Sequence, residues 1–208
     1  MQEHETDSDA LLMMRVADGD RNALCSLMDK WESPLLGFIY RYVQNREAAA
    51  ELTQETFVRL YEARARFRGD MRFSPWIFRI AANLCRNYHR WRKRHPEDMA
   101  WDEACEATNA PQQGTMREED NPAAALARRE SISELKNAIA AMPHDLATTL
   151  LLYYYQELSY REIAEVIGCS ERGVETRLYR ARAWLSKELA QPVESRSGCG
   201  ILAAGGML

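Results

Sequence analysis

Apolar residues recur three or four positions apart along most of this chain, and almost nowhere do they alternate as a half-buried strand requires. That spacing commits the fold to helices. It predicts short helices over 9–17 and 20–31, parted by the Asp18-Gly19-Asp20 turn. Ser33-Pro34 opens a third, since proline is tolerated in a first turn. This helix carries Leu35, Leu36, Ile39, Tyr42 and Val43 and ends near Asn45. A longer helix over about 47–67 is stopped by Gly69. Ser74-Pro75 then caps another, which runs to about Arg94 ahead of Pro96.

Over 96–125 the spacing is lost. Pro96, Pro111, Gly114 and Pro122 sit there among acids and small polar residues, a composition that reads as a flexible linker. Helical spacing returns from about Leu126 to Leu189, and the tail after Pro192 is rich in Gly, Ser and Ala. The expected architecture is therefore all-α. Two small helical domains, 9–95 and 126–190, are joined by the linker 96–125 and followed by an extension over 191–208.

The net charge of −4 over 208 residues hides a layout that matters more than the sum. Residues 86–95 hold five Arg or Lys and no acid, and 97–120 hold eight acids against the single Arg117. Residues 171–187 are basic again, five against two. Two cationic surfaces flank an anionic connector, as expected of a nucleic-acid binder. Other classes fit poorly. No run approaches the ~18–20 apolar residues of a membrane span. Residues 1–9 are acidic and lack the order of a signal peptide, so the expected place is the cytoplasm. The cysteines (Cys25, Cys85, Cys105, Cys169, Cys199) form no CxxC pair. Neither the histidines (His4, His89, His95, His144) nor any phosphate loop or nucleophile–base pair suggests a metal site, a cofactor or an enzyme.

The second half carries a helix-turn-helix pattern. Ser159 can cap a helix bearing Ile163, Ala164 and Ile167, Gly168 supplies a turn, and Ser170 caps the next helix. There Val174, Leu178, Ala181 and Leu185 form one apolar stripe, while Arg172, Glu175, Thr176 and Tyr179 point away from it. Arg pairs bidentately with guanine and Glu accepts from a cytosine amino group. Arg177, Arg180 and Arg182 suit phosphates, which position a domain without specifying sequence. An ordinary amphipathic hairpin with a solvated basic face has the same spacing.

In the first half, the helix around 51–57 shows Glu51, Gln54, Glu55 and Arg59 on one side and buries Leu52, Thr56 and Leu60 on the other. The stretch Phe67-Arg68-Gly69-Asp70-Met71-Arg72-Phe73-Ser74-Pro75-Trp76 leads into Arg86-Asn87-Tyr88-His89-Arg90-Trp91-Arg92-Lys93-Arg94. Aromatics interleaved with cations suit unpaired nucleic acid, where rings stack on bases at about 1–3 kcal/mol each and cations hold the backbone. Trp76, Ile77 and Ile80 are expected in the core.

Together the two halves resemble the extracytoplasmic-function sigma factors. Glu51-Leu52-Thr53-Gln54-Glu55-Thr56-Phe57 is similar to the family's D/E-L-x-Q-E-x-F helix. Phe67-Arg68-Gly69-Asp70 with Trp76-Ile77-Phe78-Arg79-Ile80-Ala81 is similar to its F-R-G-D…W-L-Y-R-I-A signature. Leu158-Ser159-Tyr160-Arg161-Glu162-Ile163-Ala164 and Arg177-Leu178-Tyr179-Arg180-Ala181-Arg182 resemble its C-terminal motifs. The resemblance implies that Glu51, Gln54, Glu55 and Arg59 dock on the clamp helices of the largest subunit of core RNA polymerase. It implies that the C-terminal domain meets the polymerase flap. Melted −10 DNA would be met by Arg68, Phe73, Asn83, Arg86, Asn87, Tyr88, Arg90, Trp91, Lys93 and Arg94. The −35 duplex would be read by Ser170, Arg172, Glu175, Thr176, Arg177, Tyr179 and Arg180. The linker would run toward the RNA exit path, and the family's usual inhibitor is an anti-sigma factor.

Three departures stand out. Asn87 replaces an acid common in the family, and Gly173 and Glu175 stand where Thr and Lys are common. Gly173 costs about 1 kcal/mol of helix stability relative to Ala. The extension 191–208 passes the family's usual end, and its uncharged, partly apolar residues 198–208 are expected to modulate activity. A plain helix-turn-helix regulator would account for 126–190 but leave the first 95 residues without a role.

Overall fold

A computed structural model of the chain describes residues 8–95 and 122–190. The expected linker, apart from its last four residues, and the extension 191–208 lie outside them. Every regular element among the described residues is a helix. α1 (Ser8–Ala17) and α2 (Arg21–Val43) meet at the Asp18-Gly19-Asp20 turn, where Gly19 adopts φ +95°. Asp20 caps α2: its Oδ1 accepts from the N–H groups of Asn22 and Ala23, and its Oδ2 pairs with Arg15 at 2.6 Å. The Arg15 hydrogen bond, followed by the Ala23 N–H, holds the Asp20 carboxyl below its usual range.

The break expected at Ser33-Pro34 does not occur. α2 runs unbroken through Pro34, although an interior proline costs about 3 kcal/mol or more. Leu27, Leu35, Phe38 and Ile39 lie fully buried on both sides of it. At about 1.5–3 kcal/mol each they outweigh that cost. The helix ends in a left-handed Gln44, and Asn45 caps α3 (Arg46–Glu62) by accepting from Ala48 N–H at 2.7 Å. α3 stops short of the expected residue 67, and a single 3₁₀ turn (Arg64–Arg66) carries the chain onward.

α4 (Phe73–Arg94) starts one residue before Ser74, which therefore caps nothing. Phe73 is the reason. Its ring is fully buried against Trp31, Phe67 and Trp76, and this anchor draws it into the first turn. Pro75 falls within the first turn, where a missing N–H leaves no helix bond unmade.

In the second half α5 (Pro122–Ala141) begins four residues ahead of the expected boundary, with Pro122 in the first helical position. α6 (His144–Tyr154), α7 (Tyr160–Ile167) and α8 (Glu171–Leu189) follow. No helix among the described residues is long and apolar enough to cross a membrane.

The two helical units close on each other, a packing that spacing and charge did not foretell. Their buried residues form one continuous core. α4 lies along α7, and α2 touches both α5 and α6. At the junction the Tyr42 hydroxyl bonds His144 Nδ1, and the Tyr42 ring sits edge-on to His89 and His144. Around this buried centre run Arg72–Glu162 (3.0 Å), Arg86–Asp145 (3.1 Å), and Arg41 stacked 4.3 Å over Tyr155. Gln156 Nε2 donates to the carbonyl of Pro34.

Candidate polymerase-docking and nucleic-acid interfaces

On α3, Thr53, Thr56, Phe57 and Leu60 face inward and leave Glu51, Gln54 and Arg59 exposed, with Glu55 half-buried beside them. Leu52, expected in the core, is only half-buried. Arg59 Nε donates to Glu55 Oε1 at 2.7 Å, an i,i+4 pair that fixes the carboxylate on the helix surface. Beside this polar row the chain leaves an apolar groove of about 690 Å³ between α2 and α3. Met28, Leu36, Val58 and Tyr61 are exposed along it, and Gln54 forms part of its wall. Sequence reasoning missed these four. Their signal was Val58 and Tyr61, two apolar residues four and seven places on from Gln54, on the face read as wholly polar.

α4 is amphipathic along its whole length. Ile77, Phe78, Ala81, Ala82 and Cys85 fill the core, and burial pushes the Cys85 thiol well above its usual range. Arg79, Asn83, Asn87, Arg90 and Arg94 are exposed and follow one another at helical spacing. Arg79, four residues before Asn83, belongs to this row and was not among the expected contacts. A second row is aromatic. Tyr88 stacks on Trp91 (centroids 6.4 Å apart, 30° between planes), and Trp91 stacks on His95 (5.0 Å, 24°). Trp91 remains 42% exposed, so part of its ring is available for stacking. Arg90 and Lys93 have no acidic partner among the described residues. Arg94 Nε donates to the carbonyl of Arg90.

Three expected contacts are placed differently. Phe73, read as a −10 contact, has no exposed surface and offers no face to a base. That expectation is corrected: a ring boxed in by three other aromatic side chains is a structural anchor. Arg86 is half-exposed, and its guanidinium pairs with Asp145 of the second unit. Arg68 is exposed, but its guanidinium pairs with Asp70 two residues on, at 3.2 Å.

The helix-turn-helix forms from its caps. Ser159 Oγ accepts from Glu162 N–H while Glu162 Oε2 accepts from Ser159 N–H, a reciprocal capping box. Although burial alone would raise it, the Glu162 carboxyl is held below its usual range by the Ser159 hydroxyl and N–H and by Arg72. Gly168 ends α7 at φ +68°, and Ser170 Oγ accepts from Gly173 N–H at 3.2 Å to start α8. Val174, Leu178 and Ala181 are buried, and Leu185 half-buried. Val166, not Ile167, is the fully inward residue at the end of α7.

Arg172, Glu175, Thr176 and Tyr179 stand on the outer face of α8, and Tyr179 is 73% exposed. Arg180 is exposed beside them and Arg177 half-buried. The Thr176 hydroxyl donates to the carbonyl of Arg172. Gly173 sits in close quarters. A Cβ there would lie 3.2 Å from Cys169 Sγ and from Arg177 Nη1, a tight fit that either side chain would have to relieve by a few tenths of an ångström.

Comparison with known proteins bears on both halves. The family model of Sigma-70 region 2 matches residues 27–95 and that of Sigma-70 region 4 matches residues 132–185. The chain is 35% identical over 187 residues to the RNA polymerase sigma-H factor of Pseudomonas aeruginosa, covering 90% of this chain and 96% of the relative. It is 32% identical over 189 residues to the ECF RNA polymerase sigma-E factor of Escherichia coli, covering 91% and 97%. Among solved structures, the sigma factor RpoE in complex with the anti-sigma factor NepR from Bartonella quintana shares the fold at TM-score 0.55. That match has 19% identity and covers 79% of this chain and 94% of that one. With both regions in order and relatives aligned end to end, the chain belongs to the extracytoplasmic-function sigma factors of the sigma-70 family, non-enzymatic factors that direct transcription initiation from promoters.

Proposed function

We propose a division of labour between the two helical units, residues 9–95 and 126–190. α3 docks core RNA polymerase on its largest-subunit clamp helices through Glu51, Gln54, Glu55 and Arg59. α4 holds the melted −10 strand. Asn83, Asn87, Arg90 and Arg94 serve the strand from one row, and Tyr88, Trp91 and Lys93 serve it from the next, with Arg68 at the preceding loop. α8 enters the −35 major groove with Arg172, Glu175, Thr176 and Tyr179 toward base edges. Ser170, Arg177 and Arg180 lie toward phosphates, and the same domain meets the polymerase flap.

The observation that carries this reading is the contrast between the two exposed surfaces. The α4 surface joins stacked rings to unpaired cations, the chemistry of single strands. The α8 surface has side chains of base-pair-reading type on one helical face, the chemistry of duplex. Reading two elements separated along the promoter requires the closed units to part, which also releases Arg86 from Asp145 for the −10 strand.

An anti-sigma factor is the proposed inhibitor. The solved fold relative is bound to one, and the family resemblance points the same way. The site of action is the cytoplasm, where core polymerase and promoter DNA are found. Purified core polymerase, with and without the chain, on a pool of promoter fragments tests the reading. New start sites sharing two upstream elements are expected. Tight duplex binding without polymerase and no initiation would instead describe a plain helix-turn-helix regulator.

A further inference from the structure

Residues 64–72, between α3 and α4, hold Arg64, Arg66, Arg68 and Arg72 against a single acid, Asp70. The backbone that carries them is fixed from within. Arg66 N–H donates to the Ala63 carbonyl, Phe67 N–H to that of Arg64, and Met71 N–H to that of Arg68. Phe67 and Phe73 are buried on either side of the 68–72 loop, with their ring centroids 6.3 Å apart. Gly69 lies so close to α1 that a Cβ there would come within 3.0 Å of Met14 Sδ. The arginines therefore stand on a held frame.

Their charges are poorly compensated. Arg66 is exposed and pairs with no acid among the described residues. Arg64 lies 4.1 Å over the Tyr61 ring and donates to the Tyr61 carbonyl, neither of which carries a charge. Arg68 shares Asp70 in a largely exposed pair, which contributes little. Arg72 is held by Glu162 of the second unit at 3.0 Å and is freed when the units part. All four cations are Arg, whose paired donors match phosphate oxygens. The one ring of the run, Phe67, is buried, so these residues offer cations and no stacking face. Such a surface holds a backbone and reads no base.

Position selects the backbone. The run leads directly into α4 and continues, past its first turn, the surface that we assign to the melted −10 strand. The last turn of α4 leads the other way, into the chain that continues to the unit assigned to the upstream element. We propose that Arg64, Arg66 and, once the units part, Arg72 continue from Arg68 to hold the phosphates of the same DNA strand on the start-site side of the −10 element. The assignment rests on the −10 reading of α4.

The test uses the chain assembled with core polymerase and two forked templates. In one the −10 strand stops at the element; in the other it continues toward the start site as an unpaired tail. Affinities are read at two salt concentrations. Arg66→Gln, a change at an exposed side chain, is expected to bind the short fork like wild type and the tailed fork several-fold more weakly. Its salt slope on the tailed fork should be shallower by about 0.7, the value of one single-strand phosphate. Arg64→Gln combined with Arg66→Gln should double that change, and the base sequence of the tail should not matter. Equal losses on both forks would overturn the proposal, since the arginines would then serve the −10 element or the fold. So would a tail affinity unmoved by either variant; if core polymerase binding fell instead, the patch would belong to an acidic polymerase surface. The −10 reading fails separately. If altered −10 bases leave the short fork bound as before and the tail effect persists, the phosphate patch stands and the reading of α4 falls.

Discussion

Arg86 of α4 reaches across the domain junction to Asp145 at the start of α6, Nη2 to Oδ1 at 3.1 Å. One of the cations proposed to face the −10 strand is thus held by the domain proposed to read the −35 element. Both side chains are about half exposed, and such pairs contribute under about 1 kcal/mol. Asp145→Asn is expected to leave Tm nearly unchanged and to raise the affinity of the free chain for a forked −10 template by up to about fivefold, the equivalent of that energy. Fluorescence anisotropy on the fork checks it. An affinity unmoved by Asp145→Asn but reduced by Arg86→Ala would mean that Arg86 reaches DNA without leaving its partner.

Closure should weaken in acid. Burial first, then the Arg86 charge, depresses the His144 pKa from 6.5 to about 4, while Asp145 opposes and His89 adds to the shift. Burial and the Lys93 charge lower His89 as well, so it acts with the same sign. Above pH 6.5 the imidazole is neutral whether the units are closed or apart, and pH has no effect. Below it the separated form takes up a proton that the closed form refuses, so closure loses up to about tenfold per pH unit until about pH 4. Energy transfer between dyes on α3 and α8 should report opening at pH 5.5 relative to 7.5. His144→Gln should flatten that difference. A profile equally steep in the variant assigns the response to another group.

Glu55→Ala removes the partner of Arg59 and one carboxylate of the docking row. Its expected effect is a loss of roughly 1–2 kcal/mol in core polymerase binding, about tenfold, with affinity for isolated −35 duplex unchanged. Competition binding to core against the wild-type chain measures it. Equal competition would remove α3 from the docking surface.

Arg172→Ala and Arg180→Ala should separate base reading from phosphate holding. Arg172→Ala is expected to lower discrimination at one −35 position by about 1–3 kcal/mol. Arg180→Ala should weaken binding to all sequences alike and reduce the salt slope by about one. A promoter-library profile at two salt concentrations distinguishes them. Identical profiles for wild type and Arg172→Ala would show that the arginine reads no base.

The helices and caps of the second half were legible because local chemistry dictates them. Ser159, Gly168 and Ser170 act within four residues of themselves and need no tertiary context. Ser33-Pro34 and Ser74-Pro75 carried the same kind of signal and misled. At Pro34 the core on both sides of α2 overrode a local breaker, and at Ser74 the burial of Phe73 moved the start of α4 by one residue. Phe73 misled at the site for a related reason. An aromatic beside cations reads as a stacking platform, and only the three-dimensional cluster of Trp31, Phe67 and Trp76 marks it as an anchor. The Tyr42–His144 contact joins residues 102 apart and leaves no trace in spacing or charge.

Through Pro34, α2 is one continuous helix about 35 Å long. Met28 and Leu36 line the groove on either side of Pro34, while Tyr40, Arg41 and Tyr42 meet the second domain near the helix end. Two hinged helices would let each end settle independently. One continuous helix ties them: a displacement of α2 at the groove is expected to be felt where its end meets α5 and α6, across a proline that usually marks a joint.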